Sequence, residues 1–193
     1  MSTRDTRRIV EAGLARRHRR ETLFRLFAPR ARNVTVRIAR ELDRLGEARV
    51  TASLAATIGR EFNLRLLREV SEQDEVTLTK DLQKLAEAGL IWRTADAESG
   101  SYIFKHALLR DAAYDSLLRS TRQHYHRKIA AALGGPLREL ASGRHDLIAL
   151  HLTAAGELQQ AVKAWTAAGR TALTRTAILE AASDFRNALE CVA

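Results

Sequence analysis

The chain has 193 residues, 46% of them hydrophobic, with one cysteine, Cys191, and a formal net charge of +9. That length makes one large or two small domains. The lone cysteine excludes an internal disulfide and makes a reducing cytoplasm the expected location. No run approaches the roughly 20 apolar residues of a membrane helix, and no secretory signal opens the sequence. Aromatics are only 5% of the residues, and alanine and leucine dominate, so the expected fold class is mainly α.

The charge is concentrated at the front. Residues 1–49 carry 14 Arg against 6 Asp and Glu, whereas residues 50–193 carry 18 Lys and Arg against 17 Asp and Glu. Residues 1–35 therefore read as a basic leader, either helical or disordered. It is an arm for nucleic acid or anionic lipid on one reading and a solvated segment on the other. Val36–Leu45 has helical spacing, with Ile38, Leu42 and Leu45 in line and Gly46 as a stop.

Residues 50–118 then follow a regular plan. Leu54, Ala55 and Ile58 give a short helix closed by Gly59; Leu64, Leu67 and Val70 give a second; Leu78, Leu82 and Leu85 give a third, closed by Gly89. Leu90–Arg93 and Ser101–Phe104 read as two strands forming the one β-hairpin, with the polar residues 94–101 at its tip. Three helices followed by a hairpin is the outline of a winged-helix domain over residues 36–118. A buried helix should follow from Ala107, with Leu109, Ala113 and Leu117 on one side, Ala107, Tyr114 and Leu118 widening that side, and Asp111, Asp115 and Arg119 opposite. His106 stands at its first turn. Two roles are open for it: a neutral histidine buried against a backbone carbonyl, or a side chain reaching a phosphate held by a neighbouring domain.

The third helix is where a winged helix reads DNA. It offers Lys80 and Lys84, but Asp74, Glu75, Asp81 and Glu87 share the segment, and Asp96 and Glu98 lie in the wing. A DNA-reading surface needs a basic footprint, because phosphate contacts supply much of the affinity. Packing against protein is the better reading. A DNA-binding transcriptional regulator using the basic N-terminal arm is the alternative.

Residues 119–193 read as a helical linker and repeat-like helices. Tyr125, Ile129 and Leu133 mark one helix, ended by Gly134-Gly135-Pro136; Leu147, Leu150 and Leu152 mark another, ended by Gly156. Trp165, Gly169, Ala181, Phe185 and Ala188 then fall at tetratricopeptide spacing, where small residues let two antiparallel helices approach and large ones fill the gaps. The final helix also carries Leu179 and Val192, which would meet a further repeat. This end is expected to self-associate or to dock a helical protein partner.

Motifs for catalysis are missing from these residues. There is no G-x-x-x-x-G-K-[ST] phosphate loop and no G-x-S-x-G. His124 and His126 sit about 200° apart on a helix and cannot share a metal ion. No cofactor or metal is expected for this chain.

Several stretches together resemble a known family: Leu42-Asp-Arg-Leu-Gly46, Ala56-Thr-Ile-Gly-Arg-Glu-Phe62, Leu85-Ala-Glu-Ala-Gly-Leu-Ile91, Phe104-Lys-His-Ala-Leu-Leu-Arg-Asp-Ala-Ala-Tyr114, Leu117-Leu118, His126-Arg-Lys-Ile-Ala130, His151-Leu-Thr-Ala-Ala-Gly156 and Ala161-Val-Lys-Ala-Trp165. In order and spacing they are similar to the C-terminal regulatory part of bacterial STAND-type signal ATPases, relatives of AAA ATPases that often carry a class III adenylate/guanylate cyclase domain. The resemblance implies a winged helix and helical repeats that follow an ATPase core, with a histidine of the winged helix sensing nucleotide phosphates; His106 is the position that would carry this role. The core's own motifs are not in this sequence. The expectation is a truncated, non-catalytic regulatory and protein-interaction module of a cytoplasmic signalling protein.

Overall fold

In the computed structural model, residues 44–94 and 100–192 are described, and residues 42–193 form one compact unit. The basic leader, nearly all of the expected Val36–Leu45 helix, and the wing-tip residues 95–99 lie outside the described residues.

The fold is mainly helical with one small sheet. In chain order the elements are α1 (Ala48–Ile58), β1 (Glu61–Asn63), α2 (Leu64–Val70), α3 (Glu75–Glu87), β2 (Ile91–Arg93), β3 (Ser101–Phe104), α4 (Ala107–Asp115) and α5 (Arg119–Gly134). A 3₁₀ turn (Arg138–Ala141) leads to α6 (His145–Ala155), α7 (Leu158–Thr174) and α8 (Ile178–Glu190).

The hairpin expected at residues 90–104 is present as β2 and β3, but it is not the whole sheet. β1 adds a third antiparallel strand on the far side of β3, with Phe62 opposite Tyr102. Three residues are too few to show a period of two, so this strand left no pattern in the sequence. Its role is clear from packing. Phe62 and Phe104 are both 1% exposed, and the Phe62 ring lies 5.6 Å from Phe104 and 5.7 Å from Tyr102. Side-chain caps start the next two helices: Asn63 accepts from the Arg65 N–H, and Asp74 accepts from the Thr77 N–H and hydroxyl. Those Thr77 donors hold the Asp74 carboxyl below its usual range.

The helix after Ala107 corrects the sequence reading. Only Leu109 and Ala113 of α4 are buried, while Ala107 is exposed and Leu118, beyond its end, is 75% exposed. α4 lies on α1 and one strand, so a single narrow stripe is covered. The central buried helix is α1, whose residues from Thr51 to Thr57 are all buried. Its run Thr-Ala-Ser-Leu-Ala-Ala-Thr is small enough for α3, α4 and α5 to approach closely. The small residues hide that burial from a search for large apolar side chains.

Asp81 is a second correction. It counts among the acids of the α3 segment, yet it is 2% exposed. Its Oδ2 lies 2.6 Å from the Thr51 hydroxyl and accepts from Gln73 Nε2 at 3.1 Å, so it ties α3 to α1.

From α5 onward the helices stack in series: α5 on α6, α6 on α7, α7 on α8. α5 also packs on α2 and α1, which joins the series to the sheet-bearing part. Gly156 ends α6 at φ +81°, in the left-handed conformation that glycine adopts without Cβ strain, and its N–H returns to the Leu152 and Thr153 carbonyls.

Candidate functional site

His106 is exposed. It occupies the N-cap of α4 with an extended backbone, its carbonyl accepts from the Leu109 N–H at 3.1 Å, and its ring makes no capping bond. The burial expected for it is therefore wrong. The strand-to-helix turn at Lys105–His106 lifts it off the core face, which resumes only at Leu109.

The five repeat positions come together between α7 and α8. Ala181 and Ala188 are buried, and Trp165 is 8% exposed. The contact between Gly169 and Phe185 shows why the small residue is needed. A Cβ at Gly169 would stand 2.8 Å from Phe185 Cε1 and Cζ, well inside van der Waals contact. Trp165 reaches back to α6, where its Nε1 donates to Thr153 Oγ1 at 3.0 Å; the Thr153 hydroxyl in turn donates to the Ala149 carbonyl. Around the indole the core is made of alanines: Ala149, Ala161, Ala168 and Ala188.

With its inner face filled, α8 leaves its outer face uncovered. Leu179 is 89% exposed, Leu189 71%, and Ile178 and Val192 are exposed beside them. Buried Ala181, Asp184 and Ala188 lie on the opposite side of the same helix. Asp184 faces the core rim, and burial first, then the charges of Asp146 and Glu180, push its carboxyl above the usual range.

A polar relay crosses the junction of α4, α5 and α6. The Tyr114 hydroxyl is 2.9 Å from His126 Nε2, and His126 Nδ1 is 2.8 Å from His151 Nδ1. His126 and His151 are 4% and 1% exposed. The facing Nδ1 atoms share one proton, so one ring donates and the other accepts. Either direction, Tyr114 to His126 to His151 or the reverse, satisfies both contacts with both rings neutral. Burial, with Arg122 and Arg110 adding repulsion, pushes His126 down to about 4; burial and the neighbouring His126 push His151 down to about 3. Both rings are therefore uncharged at neutral pH. The guanidinium of Arg122 stacks on the Tyr114 ring at 4.4 Å, and that of Arg110 lies 5.7 Å from it.

Sequence reasoning misses this relay. Chain spacing sets His126 beside His124, whereas its partner is 25 residues away on the next helix. His124 points elsewhere, 3.4 Å from Glu72, which Lys128 also contacts. Among the described residues no group of three or more His, Cys, Asp or Glu side chains is placed to hold a metal ion. No described helix is long and apolar enough to cross a membrane.

No protein-family model matches the sequence, and no solved structure does. A stretch of 150 residues, 77% of the chain, is 31% identical to part of an uncharacterized protein of Rhizobium meliloti (strain 1021). The chain spans only 15% of that protein's length.

Proposed function

We propose that this chain is a non-catalytic regulatory and protein-interaction module: a winged helix followed by a short tetratricopeptide-like scaffold, as the STAND-type resemblance implies. The order α1, β1, α2, α3, β2, β3 supports the first half, and the close approach of Gly169 to Phe185 supports the second. The similarity to a small part of a much longer bacterial protein supports the idea of a module that works beside other domains. In this reading the chemistry belongs to those other domains, the module itself needs no cofactor, and exposed His106 is accessible to a phosphate on a neighbouring domain.

The observation that carries the reading is the outer face of α8. Leu179, Ala182, Arg186 and Leu189 are all exposed and recur at steps of three, four and three. That is the seam spacing by which one helix packs against another. Run antiparallel against itself, the order Leu-Ala-Arg-Leu sets leucine against leucine and alanine against arginine. A second copy of the chain therefore fits this face as a two-fold partner. The driving force is apolar burial, so the association should depend little on salt.

The DNA-binding alternative gains nothing from the exposed side of α3, where Lys80 and Lys84 alternate with Glu75 and Glu87.

Two measurements test the proposal. Light scattering over a range of protein and salt concentrations should show salt-insensitive self-association; a strict monomer at high concentration counts against it. Purified protein should neither hydrolyse ATP nor form cyclic nucleotides, and turnover that tracks the mass of this chain would refute the non-catalytic part.

A further inference from the structure

A cleft of about 750 Å³ opens where α4, α5, α6, α7 and the end of α8 converge, away from the outer face of α8. That volume lies in the ~300–1,000 Å³ range of small-molecule sites. One part of its lining is apolar: Leu147, Leu150 and Ala154 from α6, Leu158 and Trp165 from α7. Leu150 and Leu158 are 51% and 46% exposed. Leucines left half-exposed on a shared concave surface mark a contact that the folded chain does not itself supply.

The polar part of the lining brings in the relay. Arg110, Tyr114 and His126 face the same cleft, as do Asn187 and Glu190. The histidines carry no charge at neutral pH, so Arg110 and Glu190 are the charged groups of the described lining. Arg110 Nη1 is paired with Asp111 Oδ1 at 2.6 Å, and Arg122 Nη1 lies 4.0 Å from Asp115 Oδ1. The Nε atoms of Arg110 and of its neighbour Arg122, on either side of Tyr114, are both buried without a hydrogen-bond partner. A buried donor left unpaired is costly, and native folds rarely retain one without a use. Both side chains are partly open to solvent, at 37% and 30%, so Arg110 can keep its bond to Asp111 and still present its second terminal nitrogen to an incoming acceptor.

We propose that this cleft binds an amphipathic monocarboxylate. Its apolar tail lies along Leu150, Leu158 and Trp165, and its carboxylate is held by Arg110 with the Tyr114–His126 relay behind it. The site is separate from the α8 face and stands without the docking reading. Neutral histidines suit it, because both nitrogens of His126 are engaged with Tyr114 and His151 and the charge is left to arginine.

The chain has two tryptophans. A Trp92→Phe variant leaves Trp165 as the sole indole, and Trp92, 55% exposed on β2, lies outside the cleft lining. Sodium decanoate, kept below its micelle-forming concentration, is titrated while Trp165 fluorescence is followed. The expected result is a saturable change whose apparent Kd rises at least tenfold with Arg110→Gln and also rises with Leu150→Gln, both variants keeping the parent's circular dichroism. Decanol and decyltrimethylammonium should bind at least tenfold more weakly. The absence of a saturable response to decanoate, an equal response to all three amphiphiles, preference for the cation, or an affinity unmoved by Arg110→Gln would each overturn the proposal.

Discussion

Around the sheet, the core is built from large side chains closed on themselves: Phe62, Phe104, Leu67, Leu78, Leu85 and Ile91 are each 2% exposed or less. After Arg119 the balance shifts. Alanines fill much of the interior about Trp165, while Leu150, Leu158, Leu173, Ile178, Leu179 and Leu189 stand partly or largely in solvent. Small residues bring helix backbones close together, and the large apolar residues of those helices are then left for other surfaces. In the first region the exposed apolar residues, Val50, Val76, Trp92, Leu108 and Leu118, are spread over several elements, whereas in the second they gather at a cleft and along the last helix. That contrast is why the docking proposal rests on the second region.

The largest effect expected is loss of the aromatic that anchors each core. Phe62→Ala and Trp165→Ala should each cost about 3–5 kcal/mol in chemical denaturation, the range for such truncations in packed interiors. Phe185→Ala should cost less than Trp165→Ala, because its ring is only partly buried. A near-neutral Trp165→Ala would break the comparison, since it would mean that the helical series has no core of its own.

Gly169→Ala sharpens the point about small residues. Its new methyl meets the Phe185 ring at 2.8 Å, and overpacking of this kind costs about 1–3 kcal/mol. Adding Phe185→Leu should restore part of the loss. If the single variant is as stable as the parent, α7 and α8 are looser than the contact requires.

The histidine relay predicts a pH dependence. In the unfolded chain both rings titrate near 6.5, whereas in the folded protein His126 and His151 do so at about 4 and about 3. Between these limits the unfolded chain binds more protons. The relay's contribution is therefore complete above about pH 6.5 and is lost as the pH falls toward 4. Melting temperatures at pH 7.5 and 5 should show the drop, and His126→Gln/His151→Gln should flatten it. An identical slope in that variant would place the acid sensitivity elsewhere.

Much of the fold is legible from the spacing of large residues. Leu64, Leu67 and Val70, or Leu78, Leu82 and Leu85, announce α2 and α3 because one broad face of each is buried. What escapes does so for identifiable reasons. β1 has only three residues, too few to show a period of two. α1 is buried through alanine, serine and threonine, which carry little apolar signal. His106 lines up with Leu109 and Ala113 in angle, but the chain is still extended there and the buried face begins only at Leu109. Gly169 and Phe185 meet across α7 and α8 at positions that the tetratricopeptide spacing pairs, whereas His126 and His151 meet through the packing of α5 on α6. No local pattern encodes that meeting.

The smallest stability effect belongs to the outer face of α8. Leu179→Glu and Leu189→Glu change exposed residues and should leave stability within about 0.5 kcal/mol of the parent. Their effect on association is the most direct test of the central claim, that this face is a docking surface for a second copy. Sedimentation velocity of the parent chain and the Leu179→Glu/Leu189→Glu variant, over matched concentrations and at low and high salt, measures it. The account predicts a parent that shifts from monomer to dimer with concentration at both salts, and a variant that stays monomeric with unchanged circular dichroism. A parent that remains monomeric throughout, or a variant that dimerises as the parent does, would contradict it.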